Sequence, residues 1–238
     1  MAASKRVSHS LLDSWLTGPL KRLYPRLPIP RSLPPEAIVG CGHTAAAAGA
    51  LGFALASQHP WAGLVGAAGV ALNHTCDVLD GTHARSTSQC RNGGELLDHF
   101  VDPLSFSYWA AGLAYAAQGY SPWAPWLGVA GVIAIYAMAV LTSIRAKMIG
   151  EFTLNRFGPT EFKTLLVLFG VAQAGVGAWG AATPAAASLL AARCAWWFVT
   201  SLVIAGIMQL VVSLVKSVRD VNAAGTAPPD TTEWKLTG

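Results

Sequence analysis

Six apolar stretches, each close to the length that crosses a bilayer, constrain this chain more than any other feature. They cover residues 36–57, 61–77, 95–118, 125–147, 160–182 and 194–216, and a spanning helix needs about 20 residues. Inside hydrocarbon every backbone N–H and C=O must be satisfied within the segment, so such stretches become helices. The second is short before its charges begin. It is predicted to continue as a helix that carries Asp77 and Asp80. The linkers "SQHP", "QGYSP" and "TPAAAS" are short and rich in turn-forming residues. Only 12% of the chain is charged, against about 25% in an average soluble domain. The expected architecture is all-α: a polytopic membrane protein with six transmembrane helices and an N-terminal amphipathic interfacial helix. One membrane domain, 36–219, follows a cytoplasmic or interfacial segment, 1–35, and precedes a tail, 220–238, read as disordered and cytoplasmic.

Lys and Arg placement sets the orientation. The first 35 residues hold six basic residues, and the linkers after spans one and three hold none. Arg145, Lys147, Arg156 and Lys163 surround the linker after span four, and Lys216 and Arg219 follow span six. This alternation puts both termini, and the connection between spans two and three, in the cytoplasm. The net charge of +4 therefore reads as topology and contact with anionic membrane lipid. Nothing in the pattern suggests nucleic acid. No short apolar core precedes a cleavage site, so a secretory signal is not expected. Instead Leu12, Trp15, Leu16, Leu20 and Leu23 recur at helical spacing beside Lys21, Arg22 and Arg26, the pattern of a helix lying on the membrane surface. The four cysteines lack CxxC spacing, which argues against zinc.

Against this background, five of the twelve acidic residues fall in residues 77–102. A carboxylate in apolar surroundings is costly unless it is paired or holds a metal. Asp77 and Asp80 are three apart, and Asp98 and Asp102 four apart, so each pair shares one helix face. If spans two and three are antiparallel neighbours, the pairs converge. Divalent cations would relieve their repulsion, and hard ions such as Mg²⁺ take carboxylate oxygens together with substrate phosphates. Four aspartates suit two ions, the arrangement that clamps a phosphoryl group in transfer. Gly81 allows close approach of a ligand, and Arg85 offers a forked donor to phosphate. No Walker-type loop is present, and Leu79 stands where an EF-hand needs an oxygen.

Asp77-x-x-Asp80-Gly81-x-x-Ala84-Arg85, eight further residues, then Gly94-x-x-x-Asp98-x-x-x-Asp102 resembles the signature of the CDP-alcohol phosphotransferases at every fixed position. The resemblance implies that Asp77, Asp80, Asp98 and Asp102 hold two Mg²⁺ ions, with Mn²⁺ a possible substitute. It implies that Gly81, Ala84, Arg85 and Gly94 shape the pocket of a CDP-linked donor. It further implies that an alcohol attacks the distal phosphorus while CMP leaves, and that the protein is a homodimer. Phosphoryl transfer needs positioning and charge neutralisation more than covalent chemistry, which agrees.

Two features resemble the choline and ethanolamine branch, in which diacylglycerol is the lipid acceptor. His99 directly follows the third signature aspartate, as does the histidine implicated there as base. Histidine suits that task because its ordinary pKa lies near working pH; Asp102 is the alternative base. "FGPTEFK", residues 157–163, resembles the Gly-x-Thr-Glu stretch of the same branch and would bring Glu161 to the cavity. The Pro-Asn entry to span one that is frequent in the family is replaced by Pro35-Glu36. The alternative branch uses CDP-diacylglycerol and a polar alcohol: glycerol phosphate, serine or an inositol phosphate. Arg145, Lys147 and Arg156 are few basic residues for a phosphorylated acceptor. A cation transporter is the non-enzyme reading. It predicts acidic residues spread over several spans, whereas spans four and six contain none.

Overall fold

A computed structural model describes residues 5–154, 157–179 and 183–225. The described residues are all-α apart from one short ladder. Helix α1 (Asp13–Leu23) continues through Pro19 into a 3₁₀ turn (Tyr24–Arg26). Six helices then form the bundle: α2 (Pro35–Leu55), α3 (Ala62–Ser86), α4 (Asn92–Ala117), α5 (Ala124–Ile149), α6 (Pro159–Trp179) and α7 (Pro184–Ala224). Among the described residues α2, α3, α5 and α7 are long and apolar enough to cross a membrane. Helices α4 and α6, of 26 and 21 residues, carry charged residues at their starts.

The inner helices meet through small residues, the usual way to bring helix backbones close where neighbouring lipid is as apolar as leucine. A Cβ added to Gly66 of α3 would lie 2.7 Å from the Phe53 ring of α2, and one on Gly49 would lie 3.2 Å from the Gly69 Cα. Gly112 of α4 packs on the Ala50 carbonyl, and Gly63 of α3 on the Gly170 carbonyl of α6. Around these crossings lies the core, formed by Phe53, Val70, Trp109, Leu113, Leu166 and Val199. The Trp109 indole is fully buried and donates to the Ala46 carbonyl at 3.0 Å, so its one polar group is satisfied. Helices α5 and α7 lie outside and expose Trp126, Ile133, Val140, Ile204, Met208 and Val212, as lipid-facing surfaces do.

Three expectations change. The last helix was placed at 194–216, with "TPAAAS" as linker. It actually begins at Pro184, because the Thr183 hydroxyl accepts the Ala186 N–H at 3.2 Å and an alanine-rich run follows a proline at the first helical position. At 41 residues it is roughly 60 Å long, twice the hydrocarbon thickness of about 30 Å. The tail expected to be disordered from 220 remains helical to Ala224 and stops at Gly225, whose φ of 54° is left-handed. Arg145 of α5 holds this end by donating to Asp220 at 2.9 Å. A parallel ladder is the third change: β1 (Lys5–Ser8) pairs with β2 (Glu151–Leu154), in register Lys5 with Glu151. Asn155 and Arg156, and the tail from 226 onward, lie outside the described residues.

Candidate active site

Helix α3 runs past its apolar section for about two further turns, carrying Asp77, Asp80, Gly81, Ala84 and Arg85. Helix α4 starts beside it and contributes Gly94, Glu95, Asp98, His99 and Asp102. The five-residue connection includes Ser88 at φ 58°, a left-handed turn residue. The Gln89 amide ties this connection to the carbonyls of Arg31 (2.9 Å) and Leu33 (3.2 Å) in the segment before α2.

One carboxylate oxygen each from Asp77, Asp98 and Asp102 lies within 4.8 Å of the other two. Ligands of Mg²⁺ sit about 2.0–2.1 Å from the ion, so opposite ones are roughly 4 Å apart; the three are near ligand spacing already. Asp80 is not within that triad. It is buried and lines the same narrow cleft with Asp77, Asp98 and Asp102. Asn73, one turn before Asp77, lines it too. Its amide NH₂ donates to the Gly42 carbonyl at 3.1 Å, which fixes which end of the amide is which. The other end, Oδ1, is buried without a partner in a residue only 4% exposed. A buried acceptor left unpaired is costly, and an oxygen-seeking cation or its water would satisfy it. The donor set of carboxylates plus one amide oxygen therefore fits a hard divalent ion.

Lys163 is the residue the sequence reading missed; it was counted there only as a topology marker. From the first turns of α6 its ammonium reaches Asp77 Oδ2 at 2.8 Å and Asp102 Oδ1 at 3.4 Å. It is 2% exposed and lies 5.6 Å from the centre of the Phe106 ring. A signal existed: Lys163 stands at the start of an apolar span, and the acid nearest in sequence, Glu161, is two residues away and so points elsewhere.

On the other side of Asp102 opens an apolar cavity of about 290 Å³ between α4, α5, α6 and α7, lined among others by Phe106, Met138, Phe162 and Val203. Asp102 and His99 are on its wall. Asp102 thus belongs to both the acidic cluster and the apolar cavity. The His99 ring packs at 5.2 Å from Phe152 of β2, and Nε2 is 3.8 Å from Glu95 Oε1.

The nucleotide-pocket residues occupy the same end. The Arg85 guanidinium folds over Gly81, with Nη1 3.3 Å from where a Cβ would stand. Gly94 faces Glu36 Oε1, which would be 3.8 Å from an added Cβ, and Arg91 donates to Glu36 at 3.3 Å. So the glutamate replacing the family's asparagine is adjacent to a signature glycine.

Glu161 was expected in the cavity. The structure places it elsewhere: Oε1 accepts from Ser10 Oγ (2.6 Å), Leu11 N (2.7 Å) and Leu12 N (3.1 Å), and Oε2 from Gly158 N (2.9 Å). Its carboxylate anchors the entry to α1 and caps α6. His83 is likewise structural, with Nδ1 2.8 Å from the Tyr24 hydroxyl and Nε2 2.8 Å from the Leu33 carbonyl. His43 bridges helices through Ser105 and Tyr108.

The fold and this site define an integral membrane protein of a particular class. A family model described as CDP-alcohol phosphatidyltransferase matches residues 44–189, more than half of the chain, and the protein belongs to that family. Human cholinephosphotransferase 1 is 31% identical over 120 residues, which is 50% of this chain and 29% of the relative. The rat protein of the same name is 31% identical over 110 residues, 45% of this chain and 27% of the relative. The bovine one is 30% identical over 109 residues, 45% and 26%. The match thus spans less than a third of these curated relatives.

Proposed function

We propose that this chain transfers a substituted phosphate from a CDP-linked donor to a lipid alcohol, in phospholipid synthesis. The favoured pair is a CDP-choline or CDP-ethanolamine type donor with diacylglycerol. The observation that carries this reading is the seam at Asp102, where a cluster of three converging carboxylates meets an apolar cavity. A polar nucleotide and an apolar acceptor need such a junction.

Asp77, Asp98 and Asp102, with Asp80 and Asn73 close by, would hold Mg²⁺. When bound, the metal neutralises pyrophosphate charge. Gly81, Ala84, Arg85 and Gly94 would receive the donor. The acceptor hydroxyl enters from the cavity, and its oxygen forms a bond to the phosphorus distal to cytidine. The phosphorus–oxygen bond to CMP breaks, and the hydroxyl proton passes to His99 on the cavity wall. The cavity's apolar lining would hold the acyl chains and keep water from competing as nucleophile. We further propose six membrane crossings, cytoplasmic termini and site, and a homodimer; the alternating basic residues support the orientation.

The test is a substrate panel on the purified chain. CDP-choline or CDP-ethanolamine with diacylglycerol should yield CMP and phospholipid. Product only from CDP-diacylglycerol with glycerol phosphate, serine or an inositol phosphate would replace the favoured branch by the alternative. No CMP from any pair would overturn the enzymatic reading.

A further inference from the structure

We infer that Lys163 is a built-in counter-cation that competes with the divalent ion for Asp77 and Asp102 and so sets the affinity of the site for metal. The inference rests on the metal-binding reading of the acidic cluster. Its own basis is geometric. The ammonium contacts two of the three carboxylates that converge, at 2.8 and 3.4 Å, and it is almost wholly buried. A buried charge of this kind is tolerable only because it is paired. The two carboxylates gain as well: they share the cleft with Asp98 and Asp80, whose like charge the ammonium offsets.

The consequence for metal follows from sign. A carboxylate lone pair engaged by an ammonium is less available to an ion, and a fixed positive charge a few ångströms away repels a cation. At short range inside protein such an interaction is of the size that changes affinities by orders of magnitude. Phe106 offers the ammonium a place to go: its ring face is within cation–π reach, so Lys163 can lean away from Asp77 without entering bare hydrocarbon. The four aspartates would then bind metal less avidly than their number suggests. The negative charge of an arriving pyrophosphate would supply part of the attraction.

The test is Mn²⁺ binding to the full-length protein in nanodiscs, read by electron paramagnetic resonance, for wild type, Lys163→Gln and Lys163→Arg. Lys163→Gln should bind Mn²⁺ at least tenfold more tightly, and its melting temperature should rise more on adding Mn²⁺ than that of the wild type. Lys163→Arg keeps the charge and should stay within about threefold of wild type. Equal or weaker binding by Lys163→Gln would overturn the inference while leaving the metal-binding reading intact. No Mn²⁺ binding by the wild type would overturn both. If Lys163→Gln folds only in saturating Mn²⁺, the metal has taken the place of the ammonium, as inferred. If it is unfolded there too, the metal cannot do so and the inference fails.

Discussion

Replacing His99 by alanine separates a chemical role from a structural one, because the structure ties this side chain down so loosely. Its side chain is 42% exposed, and its partner Glu95 is at 3.8 Å, beyond hydrogen-bond range. Removing a half-exposed ring with so weak a tie should change folding by about 0.5 kcal/mol or less. Losing a general base costs typically 10²–10⁴-fold in rate, equal to roughly 2.7–5.4 kcal/mol of barrier. The two effects differ by a factor of five or more in energy, so they can be told apart. His99→Ala should lower kcat for CMP release with diacylglycerol by roughly 10² or more, with Mn²⁺ affinity and melting temperature nearly unchanged. His99→Gln, which keeps hydrogen bonding but not the basic nitrogen, should be almost as poor. Glu95→Gln is the calibration: a partly exposed i,i+4 pair contributes about 0.3–0.5 kcal/mol, so turnover should move about twofold. Near-normal kcat in His99→Ala with every acceptor would refute the base assignment and leave Asp102 as the group on the cavity wall that could take the proton.

Asp77→Asn and Asp98→Asn should each lower activity by roughly 10²-fold or more, and excess chelator should abolish it, since metal stabilisation of the transferred phosphoryl is worth several kcal/mol; full activity in chelator would end the metal reading. Gly66→Leu should destabilise the bundle by about 1–3 kcal/mol in detergent melting, because its first added carbon would stand 2.7 Å from the Phe53 ring; an unchanged melting temperature would show that the α2–α3 crossing is loose. In a background without the native cysteines, Gly119→Cys should react with an impermeant thiol reagent from outside intact cells and Ser88→Cys should not; the reverse pattern would invert the topology.

What the sequence revealed and what it hid follow a physical division. Local, covalently fixed spacings were legible. Three- and four-residue intervals put aspartates on one helix face, and α3 and α4 did bring Asp77, Asp98 and Asp102 together. Helix existence was legible because hydrocarbon leaves the backbone few choices. Helix limits were not, since Pro184 and Arg193 set residues 185–192 apart from the last apolar stretch, yet helix propensity and the Thr183 cap extend α7 across them. Contacts between distant segments were hidden most completely. Lys163 is 61 residues from Asp102, and Glu161 is 151 from Ser10. No periodicity within one helix encodes which neighbour a side chain meets. The β1–β2 ladder, built from two four-residue strands more than 140 residues apart, falls under the same limit.

Those long-range contacts explain how so much charge persists at the end of an apolar bundle. Each ionic group of α6 has a separate role. Glu161 turns away from the acidic cluster and takes up the N–H groups of residues 11 and 12, which anchors helix α1. Lys163, two residues on, turns inward to Asp77 and Asp102. Residues two apart on a helix are separated by about 200°, so one short segment serves the N-terminal helix and the acidic cluster at once. Tyr24, Leu27, Ile29 and Leu33 then pack on Ile38, Cys76 and Leu79, covering the flank of the aspartate-bearing turn of α3. The N-terminal segment is thereby part of the wall around the acidic cluster. The proposed reaction, with a donor from water and an acceptor from lipid, calls for a site at that boundary.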